Sequence, residues 1–125
     1  MTDNIYSIHH CSLIVRDTER SRVFYQKILG LQKNSDRPDL GYPGAWLDVG
    51  TQQIHLLELP DPDAHSQRPE HGGRDRHVAL LVKSLDDIVK KLDESDWKYT
   101  LSKSGRRALF FRDLDNNAIE IIEAK

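Results

Sequence analysis

Several features that would mark a specialised class of protein are missing from this chain of 125 residues. It has one cysteine, Cys11, which cannot form an internal disulfide and fits a reducing compartment. The longest apolar runs, such as Val78 to Val82, are too short to cross a bilayer, and Met1 to Tyr6 carry no apolar signal region. A net charge of −2 gives no electrostatic reason to bind nucleic acid or an anionic membrane. We therefore expect a cytoplasmic protein without a nucleic-acid or membrane partner.

The composition is that of an ordinary globular domain, with 38% hydrophobic and 30% charged residues. The length fits a single domain, residues 1–125. Residues 60–76 contain three prolines and two glycines and little hydrophobicity, so we expect a surface linker there. This linker would separate two modules, at about residues 5–59 and 77–124.

The first module combines strand and helix signals. Ile5 to Arg16 is rich in β-branched and apolar residues, and Asp17 is suited to cap a helix that begins at Thr18. Gly30 is placed to end this helix in the left-handed conformation. Two strands are predicted after it, at Ala45 to Val49 and at Gln52 to Leu59.

The second module repeats this plan. His77 to Val82 is predicted to be a buried strand, and Ser84 is suited to cap the next helix. That helix has a clean amphipathic stripe, formed by Leu85, Ile88, Val89 and Leu92. Further strands are predicted at Lys98 to Ser102, Arg107 to Arg112 and Ala118 to Glu123.

The repetition extends to individual residues. His10 and His77 open similar strands, and each module later places a polar residue inside its last apolar strand, His55 or Glu120. These lie at similar spacings, 45 and 43 residues after His10 and His77 respectively. The pattern predicts an α+β fold built from two tandem βαβββ modules.

Strand periodicity predicts a metal site in the cleft between the modules. Alternate side chains of a strand share a face, so each module directs two polar residues away from its helix. A pseudo-twofold arrangement would bring together His10, His55, His77 and Glu120. Imidazoles and a carboxylate suit Zn²⁺, Ni²⁺, Fe²⁺, Co²⁺ or Mn²⁺, and the ligand types do not select among them.

Each residue also has a structural interpretation. A single strand histidine is more often a hydrogen-bonded core or surface residue, and Glu120 alone could be a surface carboxylate. The four repeat-equivalent positions together favour the metal-site interpretation.

Other histidine, cysteine and charged residues have simpler roles. His9 and Cys11 alternate with His10 along the strand, so they face away from the predicted site. His65 and His71 lie in the linker, where His71 could border the pocket. Arg74-Asp75-Arg76 is expected to be a solvated loop end.

Three segments of the sequence are distinctive: Ile8 to Asp17, Phe24 to Leu31 and Asp113 to Glu120. Together they resemble the vicinal oxygen chelate superfamily, which includes glyoxalase I, methylmalonyl-CoA epimerase, extradiol dioxygenases and fosfomycin thiol transferases. The resemblance covers nearly the whole chain. It implies paired βαβββ modules, often shared between two chains of a dimer, and metal ligands at His10, His77 and Glu120.

The chain also departs from the named members. Glyoxalase I has a glutamate, and the epimerase a glutamine, at the position of His55. Glyoxalase I usually has an arginine where Ile14 stands and an asparagine where Leu59 stands. The pattern is most similar to the four-ligand, isomerase-like members.

The resemblance implies a metal that binds neighbouring substrate oxygens and stabilises enolate charge, with a carboxylate moving a proton. We expect a glyoxalase-like isomerase or lyase for a 2-oxo-aldehyde adduct or related carbonyl compound, with Glu120 as ligand and base. Trp46, Arg107 and Phe111 are predicted pocket walls. One alternative is an Fe²⁺-dependent dioxygenase that uses His10, His77 and Glu120. Another is a non-catalytic drug-binding protein.

Overall fold

The computed structural model describes residues 4–125, so the first three residues of the segment Met1 to Tyr6 lie outside it. Two βαβββ units follow one another along the chain, which confirms the predicted α+β fold. Their elements are β1 (His10–Val15), α1 (Thr18–Leu29), β2 (Lys33–Asn34), β3 (Gly44–Val49), β4 (Gln52–Glu58), β5 (His77–Val82), α2 (Leu85–Glu94), β6 (Tyr99–Leu101), β7 (Ala108–Arg112) and β8 (Ala118–Glu123). Neither helix is long and apolar enough to span a membrane, within the residues described.

Each unit forms a separate four-stranded sheet, with the strand orders β1-β4-β3-β2 and β5-β8-β7-β6. In both sheets the first and last strands of the module are parallel neighbours, and the remaining pairs are antiparallel. The two sheets also share a register. Ser12 pairs with His55 in the N-terminal sheet, and Ala79 pairs with Glu120 in the C-terminal sheet. The internal repeat is therefore a repeat of strand pairing.

Local signals set the ends of both helices. Asp17 Oδ1 accepts a hydrogen bond from the Arg20 backbone N–H at 3.0 Å, as expected of an N-cap. Gly30 ends α1 with φ of 69°, a conformation that residues with a Cβ adopt at a cost. Ser84 Oγ caps α2 by accepting from the Asp87 N–H at 3.3 Å.

The core lies between the helices and the helix-facing sides of the two sheets. The predicted stripe of α2 contributes Leu85, Ile88 and Leu92, all buried. From α1, the buried Tyr25 hydroxyl donates to Asp113 Oδ2 at 2.6 Å, across the boundary between the modules. Burial and the nearby Asp113 carboxylate both raise the pKa of Tyr25 well above its usual value.

The segment between the modules is more structured than predicted. Asp75 was expected in a solvated loop end, but its side chain is only 7% exposed. Its Oδ2 accepts from Arg68 Nε at 2.7 Å and from Arg112 Nη1 at 2.9 Å. Desolvation opposes ionisation of this carboxyl, but the two guanidinium groups outweigh it and lower its pKa. These pairs attach the end of the linker to β7.

Candidate metal centre

Two of the predicted ligands lie on the open face of the N-terminal sheet, by which we mean the face turned away from the helices. The rings of His10 and His55 stack with centroids 3.8 Å apart and an interplanar angle of 14°. Trp46, from β3, stacks against His55 with a centroid distance of 4.6 Å. Leu13 and Val15 lie on the opposite side of β1, packed against or within the core, as the alternation predicts.

His55 is buried, with 9% of its surface exposed. Its Nε2 lies 2.8 Å from Gln53 Oε1, while the Gln53 amide donates to Asp48 Oδ1 at 3.3 Å. Because the amide nitrogen faces Asp48, the amide oxygen accepts from His55 Nε2–H and leaves Nδ1 with a lone pair. Desolvation, followed by the charges of His10, His9 and Arg37, lowers the pKa of His55 to about 4. His55 is therefore a neutral imidazole at pH 7, the form that binds metals.

The other two predicted ligands face each other on the open face of the C-terminal sheet. His77 Nε2 lies 3.1 Å from Glu120 Oε1, and Glu120 is 4% exposed. The other ring nitrogen, Nδ1, lies 2.8 Å from the Asp75 carbonyl oxygen, which can only accept a hydrogen bond. The His77 Nε2 atom and the Glu120 oxygen can therefore share a proton, as in an imidazolium–carboxylate pair, or bind one metal cation together.

Two further side chains surround this second pair. Arg106 Nη2 donates to Glu120 Oε2 at 3.3 Å, and the arginine side chain is 58% exposed. The ring of Phe110 meets the His77 ring edge-on, with centroids 5.3 Å apart. His71, from the linker, lies 5.0 Å from Phe110 and so borders the same surface.

The structure brings the four candidate ligands together in two pairs and not in one cluster. Within residues 4–125, no group of three or more histidine, cysteine, aspartate or glutamate side chains is placed to hold a metal ion. His10 and His55 form one pair, and His77 and Glu120 form the other. The convergence expected from the sequence is therefore not reached inside a single copy of the chain.

The three residues predicted to form pocket walls lie in different parts of the structure. Trp46 lies on the open face against His55. Phe111 lies in the core at 3% exposure, and Arg107 binds Glu123 Oε2 at 2.6 Å and Asp86 Oδ1 at 3.0 Å near α2. Both residues alternate with those of the open face, so neither shares a face with the candidate ligands, and their role as pocket walls stays a prediction.

The aromatic wall beside Glu120 is Phe110, its direct partner in the strand pairing. The sequence contained a signal for it, since the hairpin between β7 and β8 fixes which phenylalanine shares the face of Glu120.

Paired βαβββ modules with polar residues on the open faces define a recognisable class of fold. The chain belongs to the Glyoxalase/Bleomycin resistance protein/Dioxygenase superfamily, whose family model matches residues 7–121.

Three curated relatives cover nearly all of this chain. Glyoxylase I 4 of Arabidopsis thaliana is 32% identical and covers 94% of this chain and 71% of its own length. The uncharacterized protein YwkD of Bacillus subtilis is 35% identical, over 94% of this chain and 96% of its own. A lactoylglutathione lyase of Escherichia coli O157:H7 is 28% identical, over 93% and 91% of the two chains.

The fold also matches solved structures. A glyoxalase family protein of Bacillus anthracis aligns with a TM-score of 0.79 over 100% of both chains, at 21% identity. This likeness confirms the architecture of two tandem modules.

Proposed function

We propose that this protein is a divalent-metal-dependent, glyoxalase-like isomerase or lyase. Its substrate would be a small carbonyl compound, a 2-oxo-aldehyde adduct or a related molecule. His10 and His55 of one copy of the chain, together with His77 and Glu120 of a second copy, would hold the metal. The geometry of His77 and Glu120 carries this proposal, because an imidazole nitrogen and a carboxylate oxygen 3.1 Å apart can bind the same cation.

The donor set fits a transition metal such as Zn²⁺, Ni²⁺, Fe²⁺, Co²⁺ or Mn²⁺. His55 is neutral at pH 7, and Glu120 is a buried carboxylate. The Nδ1–H of His77 donates to the Asp75 carbonyl, and the Nε2–H of His55 donates to Gln53. Metal-binding histidines commonly have such partners on their second nitrogen, which fix the ring and its tautomer.

A homodimer would complete the site. Each module of one copy presents half of the ligands on an open face, so the N-terminal sheet of one copy would face the C-terminal sheet of the other. Leu81 lies on the open face of β5 and is 71% exposed, an apolar side chain that such an interface would cover. The symmetric pairing would produce two equivalent sites.

The proposed chemistry is proton transfer between adjacent carbons. A bound metal ion would polarise the substrate oxygens and stabilise the enolate charge. Glu120 would accept and return the proton, since it is the only carboxylate in the ligand set. Trp46 and Phe110 would exclude water from the two sides of the site. The names of the curated relatives, a glyoxylase and a lactoylglutathione lyase, support this reaction class.

Elemental mass spectrometry of the purified protein, combined with light scattering, tests the proposal. We expect about one divalent metal ion per chain in a dimer, because two shared sites serve two chains. A matched pair of variants, His10→Ala and His65→Ala, separates a proposed ligand from an exposed histidine of the linker. The first should lose metal and the second should retain it. Metal-free protein that binds no added divalent ion would end the proposal.

A further inference from the structure

Each module carries one arginine over its open face, in the loop between its second and third strands. Arg37 lies in the loop 35–43, and Arg106 lies in the loop 102–107. Neither residue was among the candidates from the sequence. Their common position in the repeat gives them a common place beside the proposed metal site.

Arg106 is held toward Glu120, but not all of its hydrogen-bond donors are used. Its Nη2 donates to Glu120 Oε2 at 3.3 Å, and its Nε donates to Ser104 Oγ at 3.2 Å. Its Nη1 group makes no hydrogen bond to residues 4–125, and the side chain is 58% exposed. A metal bound to Glu120 would neutralise much of the negative charge of the carboxylate. The guanidinium group of Arg106 would then be available, with its positive charge and remaining donors, to bind an anion.

Arg37 occupies the corresponding place on the N-terminal sheet. Its Nη2 donates to the Tyr42 carbonyl at 2.9 Å, and its Cζ lies 5.3 Å from the centre of the Tyr42 ring. A Cβ on Gly44 would clash with the Leu56 carbonyl oxygen and would lie 2.8 Å from Arg37 Nη2, so both the neighbouring strand and this guanidinium pack closely against the glycine. Gly44 shares its face with Trp46, two residues along β3, which places Arg37 on the open face.

The strand register shows that Gly44 and Ala108, which lie next to the two arginines, occupy matching positions in the two sheets. Gly44 is two residues before Trp46, the partner of His55, and Ala108 is two residues before Phe110, the partner of Glu120. The Arg37 side chain lies against Gly44. Arg106 lies two residues before Ala108 in the sequence. Two residues along a strand span about 6.6 Å, so both guanidinium groups can reach atoms of a substrate bound at the ligands.

We infer that Arg106 of one copy, assisted by Arg37 of the other, binds an oxyanion of the substrate. The substrate class is then a small 2-oxo compound with a carboxylate or phosphonate beside its carbonyl group. This inference deepens the proposed function, because it assumes the same site. Three neutral imidazoles, one carboxylate and a divalent ion carry a net positive charge, and two guanidinium groups add to it. A guanidinium also matches the geometry of both anions with paired hydrogen bonds.

Calorimetry with three matched 2-oxo probes tests the inference. Pyruvate, acetylphosphonate and methyl pyruvate differ only in the carboxylate, phosphonate or neutral methyl ester beside the carbonyl group. We expect at least one anion to bind the metal-loaded protein about tenfold or more tightly than the ester. The stronger of the two anions identifies the group that the site prefers.

Variants assign the effect to Arg106. Arg106→Ala should weaken anion binding about 10- to 100-fold while leaving the affinity for methyl pyruvate within about twofold. Lys103→Ala removes the same charge from an exposed residue of the same loop and should leave all three affinities unchanged. Equal losses of anion affinity in the two variants would indicate a general effect of positive charge and would overturn the inference. Equal affinity of the wild type for the anions and for the ester would also overturn it.

Metal content separates this result from the proposed function. If metal is bound but the anions have no advantage, the inference fails and the metal site stands. If no metal is bound but the advantage depends on Arg106, the anion site stands and the proposed function fails.

Discussion

The Tyr25 hydroxyl donates a hydrogen bond to Asp113 Oδ2 at 2.6 Å, and this contact joins the helix of the first module to the last hairpin of the second. Both residues are buried, with exposures of 0% and 4%. Asp113 also accepts from Asp115 N–H and from Asn117, whose amide in turn donates to the Ile14 carbonyl at 3.0 Å. The carboxylate is thus the centre of the polar contact between the modules.

Replacing Tyr25 with phenylalanine should lower the free energy of unfolding by about 1–3 kcal/mol, since a buried carboxylate loses one donor and keeps the others. Urea denaturation measures the change. Tyr6→Phe is the matched control, because Tyr6 is 97% exposed and its hydroxyl can be replaced by water. A loss below about 0.5 kcal/mol for Tyr25→Phe would show that the contact adds little stability.

Asp75 gives a second test of stability. Asp75→Asn leaves the buried guanidinium groups of Arg68 and Arg112 without a charged partner, and we expect a loss of about 3 kcal/mol. Asp63→Asn is the control, since it breaks a pair with Arg76 in which the two side chains are 40% and 66% exposed. Exposed pairs contribute about 0–1 kcal/mol. Equal effects of the two variants would contradict the buried role of Asp75.

Much of the fold could be predicted because local signals and periodicity agree. The strands β5 and β8 begin and end where the sequence indicated, and Asp17, Gly30 and Ser84 cap the helices as expected. The strand β2 has only two residues, too few for an alternating pattern to exist. Asp75 was misjudged because its partners come from residues 7 and 37 positions away, and such pairing has no local signal.

The candidate site was partly predictable for the same reason. Alternation placed all four candidate ligands on open faces, since parity is a local property of a strand. It could not indicate that one copy separates them into two pairs, because module packing is a property of the folded chain. Phe110 and Phe111 are neighbours of similar character, and only the hairpin register distinguishes them. Arg37 and Arg106 lie in loops, where periodicity gives no information.

Metal should stabilise the protein. Free metal at about 100 times its dissociation constant adds about 2.7 kcal/mol to the free energy of unfolding. Thermal melts with a chelator and with added Zn²⁺ or Ni²⁺ should therefore differ by several degrees, and the difference should shrink in His77→Ala. Identical melting temperatures with every divalent ion tested would remove the basis of the proposed site.

Dependence on glutathione should be weak. Ile14 and Leu59 stand where glyoxalase I has an arginine and an asparagine, and Ile14 lies on the open face of β1. Apolar side chains leave polar groups of a thiol adduct unpaired, at about 1–3 kcal/mol for each lost contact. Turnover of the methylglyoxal–glutathione adduct at about 10⁶ M⁻¹s⁻¹ or above would contradict this expectation.

Glu120→Gln separates the roles of ligand and base. Glutamine keeps the size of the side chain and one oxygen for the metal, and it can still accept from Arg106, but its amide cannot take a proton at neutral pH. The variant should therefore retain measurable metal and lose about 10²- to 10⁴-fold in turnover. His55→Gln is the contrasting variant, because the epimerase relatives have glutamine at this position, and it should keep metal and much of its activity.

Elemental analysis and steady-state kinetics on the same preparations distinguish loss of metal from loss of turnover. Normal turnover by metal-loaded Glu120→Gln would exclude proton transfer by this carboxylate and leave an oxygenase or a binding role as the better description of the site.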